Sequence, residues 1–167
     1  NIMIDTELYE AKVLYPFQEK TVISILKELE DEGKEFNLLF QLPTGGGKTV
    51  IFSEIARRYI ERTQEKVLIL THRIELSVQT SKQLSAIGVE NMVISSEVKE
   101  IPTDSSHQCF IAMVETLNNR LNDDQNFIKG VGLVIVDEAH YNSFRKIFQF
   151  YGNANILGVT ATPLSSN

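Results

Sequence analysis

A glycine-rich segment between a predicted strand and a predicted helix constrains the fold of this chain more than any other feature. Residues 43–49 read Pro-Thr-Gly-Gly-Gly-Lys-Thr, after a predicted strand at 36–41 and before a helical pattern that extends to about Arg62. Consecutive glycines allow backbone N–H groups to converge on an anion without interference from Cβ atoms. The start of a helix adds unpaired N–H groups and the positive end of its dipole. The segment therefore predicts a strand–loop–helix unit that binds the phosphates of a nucleotide.

The end of this segment supplies a charge and a metal ligand. Lys48 is predicted to reach the β- and γ-phosphates of the nucleotide, and the Thr49 hydroxyl is a candidate ligand of Mg²⁺. The rest of the predicted phosphate cradle consists of Thr44, Gly45, Gly46 and Gly47. Leu42 stands where the strict phosphate-loop pattern has glycine. Taken alone, the run is therefore also compatible with an ordinary flexible loop before a helix.

An acidic pair further along the chain supports the nucleotide-binding interpretation. A fully apolar run at 131–136 predicts a central strand of a parallel sheet, and Asp137 and Glu138 follow it. Ligands of open α/β sheets bind beyond the carboxyl ends of the strands. Asp137 is predicted to hold Mg²⁺, directly or through water, and Glu138 to polarise the attacking water. In isolation the pair would equally fit a solvated acidic turn. Together with Lys48 it forms the predicted catalytic group.

Strands and helices alternate along the whole chain. A helix is predicted from Phe17 to near Gly33, with Pro16 in its first turn. The remaining predicted strands lie at 66–70, 93–95, 109–112, 131–136 and 156–160, and the remaining helices at 74–87, 114–121 and about 142–151. Such alternation implies right-handed βαβ crossovers and a mainly parallel sheet. The predicted fold is one three-layer α/β/α sandwich that spans residues 1–167.

Composition narrows the class of protein. The length of 167 residues suits one packed domain. Cys109 is the only cysteine, which excludes an internal disulfide and a cysteine-based metal site and favours a cytoplasmic protein. No apolar run is long enough to span a membrane. The net charge of −6 is not typical of a strongly electrostatic nucleic-acid binder, although a local basic face would still permit binding. Because Asn1 replaces an initiator Met, we expect a fragment of a longer protein.

Six short segments occur in a characteristic order over residues 15–163. They are Pro-Phe-Gln at 16–18, Pro-Thr-Gly-Gly-Gly-Lys-Thr at 43–49, Thr-His-Arg-Ile-Glu-Leu at 71–76, Ala-Met-Val-Glu-Thr-Leu at 112–117, Asp-Glu-Ala-His at 137–140 and Thr-Ala-Thr-Pro at 160–163. This order resembles the first RecA-like, ATP-binding domain of superfamily 2 DEAD/DEAH-box helicases, a P-loop NTPase fold. The second and third segments look most like those of RadD and of the Res subunits of type III restriction enzymes.

The resemblance implies roles for further residues. Gln18 would read the adenine edge, whereas by itself it could be a plain exposed polar residue. Arg73 and Thr116 would contact nucleic acid, although Arg73 could instead pair with Glu75, and Thr116 could brace its own helix. Coupling of nucleotide state to nucleic acid would involve His140, Thr160 and Thr162.

The expected activity follows from this resemblance. The parent protein would be an ATP-driven helicase or translocase that uses Mg²⁺ and acts on nucleic acid, with DNA favoured over RNA, in DNA repair or restriction. The resemblance implies a second RecA-like domain in cis that supplies an arginine finger, so the fragment, expected to be monomeric, would be nearly inactive alone.

The sequence also bears on three other classes of nucleotide-binding protein. The main alternative is a nucleotide-binding regulatory or scaffold module without motor activity. A GTPase would carry an Asn-Lys-x-Asp element and a small-molecule kinase an arginine-rich lid, and the sequence shows neither.

Overall fold

The computed structural model describes residues 12–33, 37–42, 47–102, 105–138 and 149–160. Within these ranges lie four complete helices: α1 (Pro16–Glu32), α2 (Lys48–Thr63), α3 (Ile74–Ala86) and α4 (Val114–Asp123). The same ranges contain six strands: β1 (Asn37–Gln41), β2 (Lys66–Thr71), β3 (Asn91–Ile94), β4 (Cys109–Met113), β5 (Val131–Asp137) and β6 (Asn155–Thr160). No helix of the described part combines the length and apolarity needed to cross a membrane.

The six strands form one sheet in the order β1-β6-β5-β2-β4-β3. All neighbouring strands run parallel. Because parallel strands all point the same way, their carboxyl ends lie along one edge of the sheet, which we call the carboxyl edge. The order brings the ends of β1, β6, β5 and β2 side by side there. The prediction of a mainly parallel sheet is confirmed.

Helices cover the sheet on both faces. Val67 and Ile69 of β2 pack into the core that lies under α1, α2 and α3. The alternate residues Leu68 and Leu70 belong to a second core, which includes Leu117 of α4. Side chains of a strand alternate between the two faces, and apolar side chains on both faces are typical of a covered parallel sheet. The predicted three-layer α/β/α sandwich is therefore confirmed.

The boundaries of the elements agree with the sequence prediction to within two residues in most places. β3 begins at Asn91, two residues before the predicted strand, because Asn91 pairs in register with Cys109 of β4. Its amide also bonds Ser85 of α3. Of the predicted helix at 142–151, residues 142–148 lie outside the described residues. Tyr151 follows the helical residues 149–150, so the predicted end was one residue late.

Candidate functional site

The carboxyl edge brings together segments that are far apart in the sequence. Asp137 at the end of β5 is in register with Val159 of β6. At the next strand pair, Gln41 at the end of β1 is in register with Thr160. The backbone N–H of Leu42 donates a hydrogen bond of 2.9 Å to the carbonyl oxygen of Thr160. Leu42, which immediately precedes the phosphate segment, is thus tied to the end of β6.

Lys48 meets both residues of the acidic pair. Its Nζ atom lies 2.6 Å from Oε1 of Glu138 and 3.1 Å from Oδ1 of Asp137. The Asp137 side chain is only 3% exposed, whereas that of Lys48 is 22% exposed. Burial lowers the pKa of Lys48, but the hydrogen bond to Glu138 and the negative charge of Asp137 outweigh it, so the net shift is upward. Lys48 is therefore a firmly held cation between two carboxylates, and the catalytic role of these three residues stays a prediction.

One oxygen of the Asp137 carboxylate can still accept a hydrogen bond or coordinate a cation. Its Oδ1 atom is buried and, although the Lys48 ammonium group lies close by, no donor of the described residues meets it with hydrogen-bond geometry. A buried carboxylate oxygen in that position is costly unless cations balance it. Thr49 lies next to Lys48 in the first turn of α2, and both line the same cleft of about 570 Å³ as Asp137. Oxygen ligands of this kind suit Mg²⁺, which commonly combines one or two carboxylates with phosphate oxygens and water.

Gly47 is required at the start of α2 for two reasons. Its φ of 75° lies in the left-handed region, where side chains with a Cβ are strained. A Cβ atom at this position would also come within 2.2 Å of Nε2 of Gln18. Gln18 is 3% exposed, and its Oε1 accepts a 2.8 Å hydrogen bond from the Tyr15 backbone N–H. The alternative that Gln18 is a plain exposed residue is wrong, because its amide is packed against the phosphate segment.

An ion-pair network holds the helix of Gln18 onto the helix of Lys48. Arg58 of α2 donates two hydrogen bonds, of 2.9 and 2.7 Å, to the carboxylate of Glu19 of α1. The same guanidinium lies 3.2 Å from Glu54, which is buried and also pairs with Arg57. The sequence analysis missed this network. The spacing of Glu54 from Arg57 and Arg58, three and four residues along a helix, was the signal available for part of it.

A second contact that the sequence analysis missed involves the acidic pair directly. Nε2 of His72, just beyond the end of β2, lies 3.1 Å from the backbone carbonyl oxygen of Glu138. Glu138 has a φ of 55°, a left-handed conformation that is uncommon for a residue other than glycine. Such conformations concentrate at functional sites.

The residues predicted to contact nucleic acid lie on helix starts at the same edge. Arg73 is exposed and precedes the first residue of α3, and Thr116 is half-buried in the first turn of α4. Thr160, predicted to couple the sites, is buried at the end of β6. The other predicted site residues, Thr44, Gly45, Gly46, His140 and Thr162, lie outside the described residues. The roles of all these residues stay predictions.

Comparison with known proteins supports the resemblance. "Putative ATP-dependent helicase IRC3" of Saccharomyces cerevisiae is 33% identical over 161 residues, covering 90% of this chain and 22% of that protein. "ATP-dependent RNA helicase DHX58" of Mus musculus is 26% identical over 175 residues, covering 90% of this chain and 25% of that protein. The chain therefore spans about a quarter or less of the length of these relatives.

A solved structure and a family model agree with this comparison. A nuclease-deletion mutant of the Type ISP restriction-modification enzyme LlaGI, in complex with a DNA substrate mimic, superposes with a TM-score of 0.70. The superposition covers 91% of this chain and 18% of that one at 18% identity, which shows the common fold. The model of the family described as type III restriction enzyme, res subunit, matches residues 11–165. With nearly all of its length matched, this chain belongs to the type III restriction enzyme res subunit family.

Proposed function

We propose that this chain is the first RecA-like, ATP-binding domain of an ATP-dependent helicase or translocase that acts on nucleic acid, with DNA favoured, in DNA repair or restriction. The observation that carries the proposal is the convergence of Lys48, Asp137 and Glu138 where α2 begins and β5 ends. The intact set counts against a regulatory or scaffold module, which would have no need to keep a cation between two carboxylates beside a helix start.

ATP binding would change the partner of Lys48. The ammonium group now paired with Glu138 would turn to the β- and γ-phosphates, which the backbone N–H groups at the start of α2 also attract. This exchange frees the Glu138 carboxylate to orient the attacking water and accept its proton. Thr49 and Asp137 would hold Mg²⁺, which neutralises phosphate charge when bound. Gln18, fixed against Gly47, would read the adenine edge beside the same loop.

Efficient turnover would need a second domain. Phosphoryl transfer depends on charge neutralisation, and an arginine finger supplies several orders of magnitude in rate. We assign that arginine to a second RecA-like domain in cis, and the greater length of the relatives supports this assignment. The isolated 167-residue chain would then bind Mg-ATP and Mg-ADP but hydrolyse ATP slowly.

DNA is the favoured substrate because the motifs at 43–49 and 71–76 have the form found in RadD and type III Res proteins. The LlaGI structure, which contains a DNA substrate mimic, supports that choice by analogy. Since a mouse relative is named an RNA helicase, the two nucleic acids have to be compared directly.

Two measurements test the proposal. Isothermal titration of the 167-residue chain should show binding of Mg-ADP and Mg-ATP and weaker binding of Mg-GTP. Hydrolysis of ATP by the two-domain protein should then be stimulated by DNA more than by RNA of the same length. Glu138→Gln is the matched control, since it should bind ATP without hydrolysing it. If the two-domain protein binds nucleotide but does not hydrolyse ATP with or without nucleic acid, the motor interpretation fails and the scaffold alternative replaces it.

A further inference from the structure

The contact between His72 and Glu138 follows from the register of two central strands. Leu70 of β2 is in register with Val136 of β5. Continuing that register by two residues brings His72 beside Glu138. The contact therefore depends on the pairing of β2 with β5, and the 66 residues that separate the two side chains in sequence conceal it.

The chemistry of the two atoms settles which one donates. A backbone carbonyl oxygen can only accept a hydrogen bond. Nε2 of His72, 3.1 Å from the Glu138 carbonyl oxygen, must therefore carry a proton. The geometry thus requires the ring tautomer in which Nε2 is protonated, and this requirement can be measured independently of any activity.

The backbone around His72 is itself held in place. The Thr71 hydroxyl lies 2.7 Å from the Ser77 hydroxyl of α3 and donates a hydrogen bond to the carbonyl oxygen of Arg73. The backbone N–H of Ser77 donates to that same carbonyl oxygen. Because Thr71 and Ser77 are buried, His72 projects from a segment that is fixed on both sides. It can therefore serve as a rigid donor toward the acidic pair.

The backbone of Glu138, whose carbonyl oxygen accepts this hydrogen bond, is in a conformation that needs support from its surroundings. The left-handed φ of 55° at Glu138 is unfavourable for a residue with a Cβ and persists only where the surroundings enforce it. In this conformation the Glu138 carboxylate reaches back to Lys48 at 2.6 Å. A hydrogen bond to the Glu138 carbonyl restrains the peptide unit that follows this residue, while β5 fixes the one that precedes it. Together they set the direction of the Cα–Cβ bond from which the carboxylate extends.

We propose that His72 is a positioning residue that holds Glu138 in its left-handed conformation, so that the carboxylate points at Lys48 before nucleotide binds and at the attacking water afterwards. This inference rests on the proposed function, because it assigns His72 to the same hydrolytic site. It also gives Arg73, the neighbouring residue predicted to contact nucleic acid, a direct structural link to the acidic pair. His72 itself is exposed, so its replacement should disturb the site more than the core.

The first test uses the 167-residue chain without nucleotide. Long-range ¹H–¹⁵N spectra of the histidine rings should show His72 protonated at Nε2. His72→Ala should shift the backbone amide resonances around Glu138, whereas His107→Ala, a matched change in the loop before β4, should not. A neutral His72 protonated only at Nδ1, or unshifted Glu138 resonances in His72→Ala, would overturn the proposal.

The second test uses ATP hydrolysis by the two-domain protein. The loss of one hydrogen bond that orients Glu138 should lower kcat about threefold to tenfold in His72→Ala, with little change in KM for ATP or in Tm. His72→Gln places an amide donor near the position of Nε2 and should restore most of kcat. A purely structural role would instead lower Tm, and kcat measured well below that Tm would then equal the wild-type value in both variants.

The two tests also separate this inference from the proposed function. If the wild-type protein hydrolyses ATP and His72→Ala keeps its full kcat, the positioning role is refuted and the proposed function stands. If the spectra show the bond but the wild-type two-domain protein does not hydrolyse ATP, the proposed function fails and the positioning role, which depends on it, fails too.

Discussion

Two carboxylates at opposite edges of the same sheet have partners at nearly equal distances and yet differ in what they can do. Glu138, at the carboxyl edge, lies 2.6 Å from the ammonium group of Lys48. Glu65, just before the amino end of β2, accepts a 2.7 Å hydrogen bond from the Tyr59 hydroxyl. Burial and the hydrogen bond to Glu65 raise the pKa of Tyr59, so this partner stays a neutral phenol. The hydrogen bond between Tyr59 and Glu65 at the amino edge therefore has a structural role.

The pair at the carboxyl edge is embedded in a different arrangement. Lys48 belongs to the first turn of a helix whose N–H groups attract anions, and the nearby Asp137 retains a buried oxygen that no hydrogen bond from the described residues satisfies. The distance between two groups therefore does not by itself mark a functional site. What marks the site is a set of donors and acceptors that can still bind a ligand, namely the N–H groups at the start of α2 and the buried oxygen of Asp137, at the edge where parallel strands end.

The largest effect is expected from removing the cation at the carboxyl edge. Lys48→Ala should weaken Mg-ADP binding by about 2 kcal/mol, or roughly 30-fold, because charge-assisted bonds to the phosphates are lost. Tyr59→Phe, the matched change at the amino edge, should leave affinity unaltered. Isothermal titration of both variants measures this difference. Equal affinities in Lys48→Ala and the wild type would show that the Lys48 ammonium group does not contribute to nucleotide binding.

The second prediction concerns the two effects that a side chain at position 47 would have, backbone strain and a collision with Gln18. Gly47→Ala would place a Cβ atom in the left-handed region and 2.2 Å from the Gln18 amide, so nucleotide affinity should fall about tenfold, with a lower Tm. Gly88 also has a positive φ, of 88°, but a Cβ atom added there would meet nothing within 4 Å. Gly88→Ala should therefore lower Tm alone. Titration and thermal unfolding of the two variants separate the collision with Gln18 from the backbone strain.

The third prediction concerns the glycine at the amino edge. A Cβ atom at Gly132 would lie 2.1 Å from Oε1 of Glu65 and 2.6 Å from the Tyr59 hydroxyl. Since both atoms end flexible side chains, Gly132→Ala should break their hydrogen bond at a cost of about 1 kcal/mol, which lowers Tm by about 2–4 °C. Nucleotide affinity should be the same as in the wild type. A loss of affinity would show that the two edges are coupled.

The smallest effect is expected from neutralising each carboxylate in turn. Glu138→Gln should raise Mg-ADP affinity about twofold to fivefold, because Lys48 gives up a partly exposed ion pair when it turns to phosphate. Glu65→Gln should leave affinity unchanged. The two titrations would contradict this account if Glu138→Gln bound the nucleotide more weakly than the wild type.

Much of the fold could be predicted from the sequence because its signals are local. The apolar runs of β2 and β5, buried on both faces, and the helix starts at Pro16 and after Gly47 each depend on neighbouring residues. The edge strand β3 was displaced in the prediction because its start depends on pairing with β4 and on contacts of Asn91 with α3.

The candidate site also has features that local sequence predicts and features that it does not. The meeting of Lys48 with Asp137 and Glu138 was predictable, since the carboxyl ends of parallel strands share one edge and the two motifs have recognisable residue patterns. The packing of Gln18 against Gly47 and the pairing of Glu19 with Arg58 were not. No local pattern states how one helix lies on another.

The chemical groups that this protein carries, and the elements on which they lie, could be predicted from local sequence, because phosphate loops, apolar strands and helix starts are each defined by consecutive residues. Which of those groups contact one another depends on the packed fold. The order of strands placed β2 beside β5, and therefore His72 against the Glu138 carbonyl. Contacts between distant residues depend on strand order and helix packing, which are set by the burial of the whole core and not by any single segment.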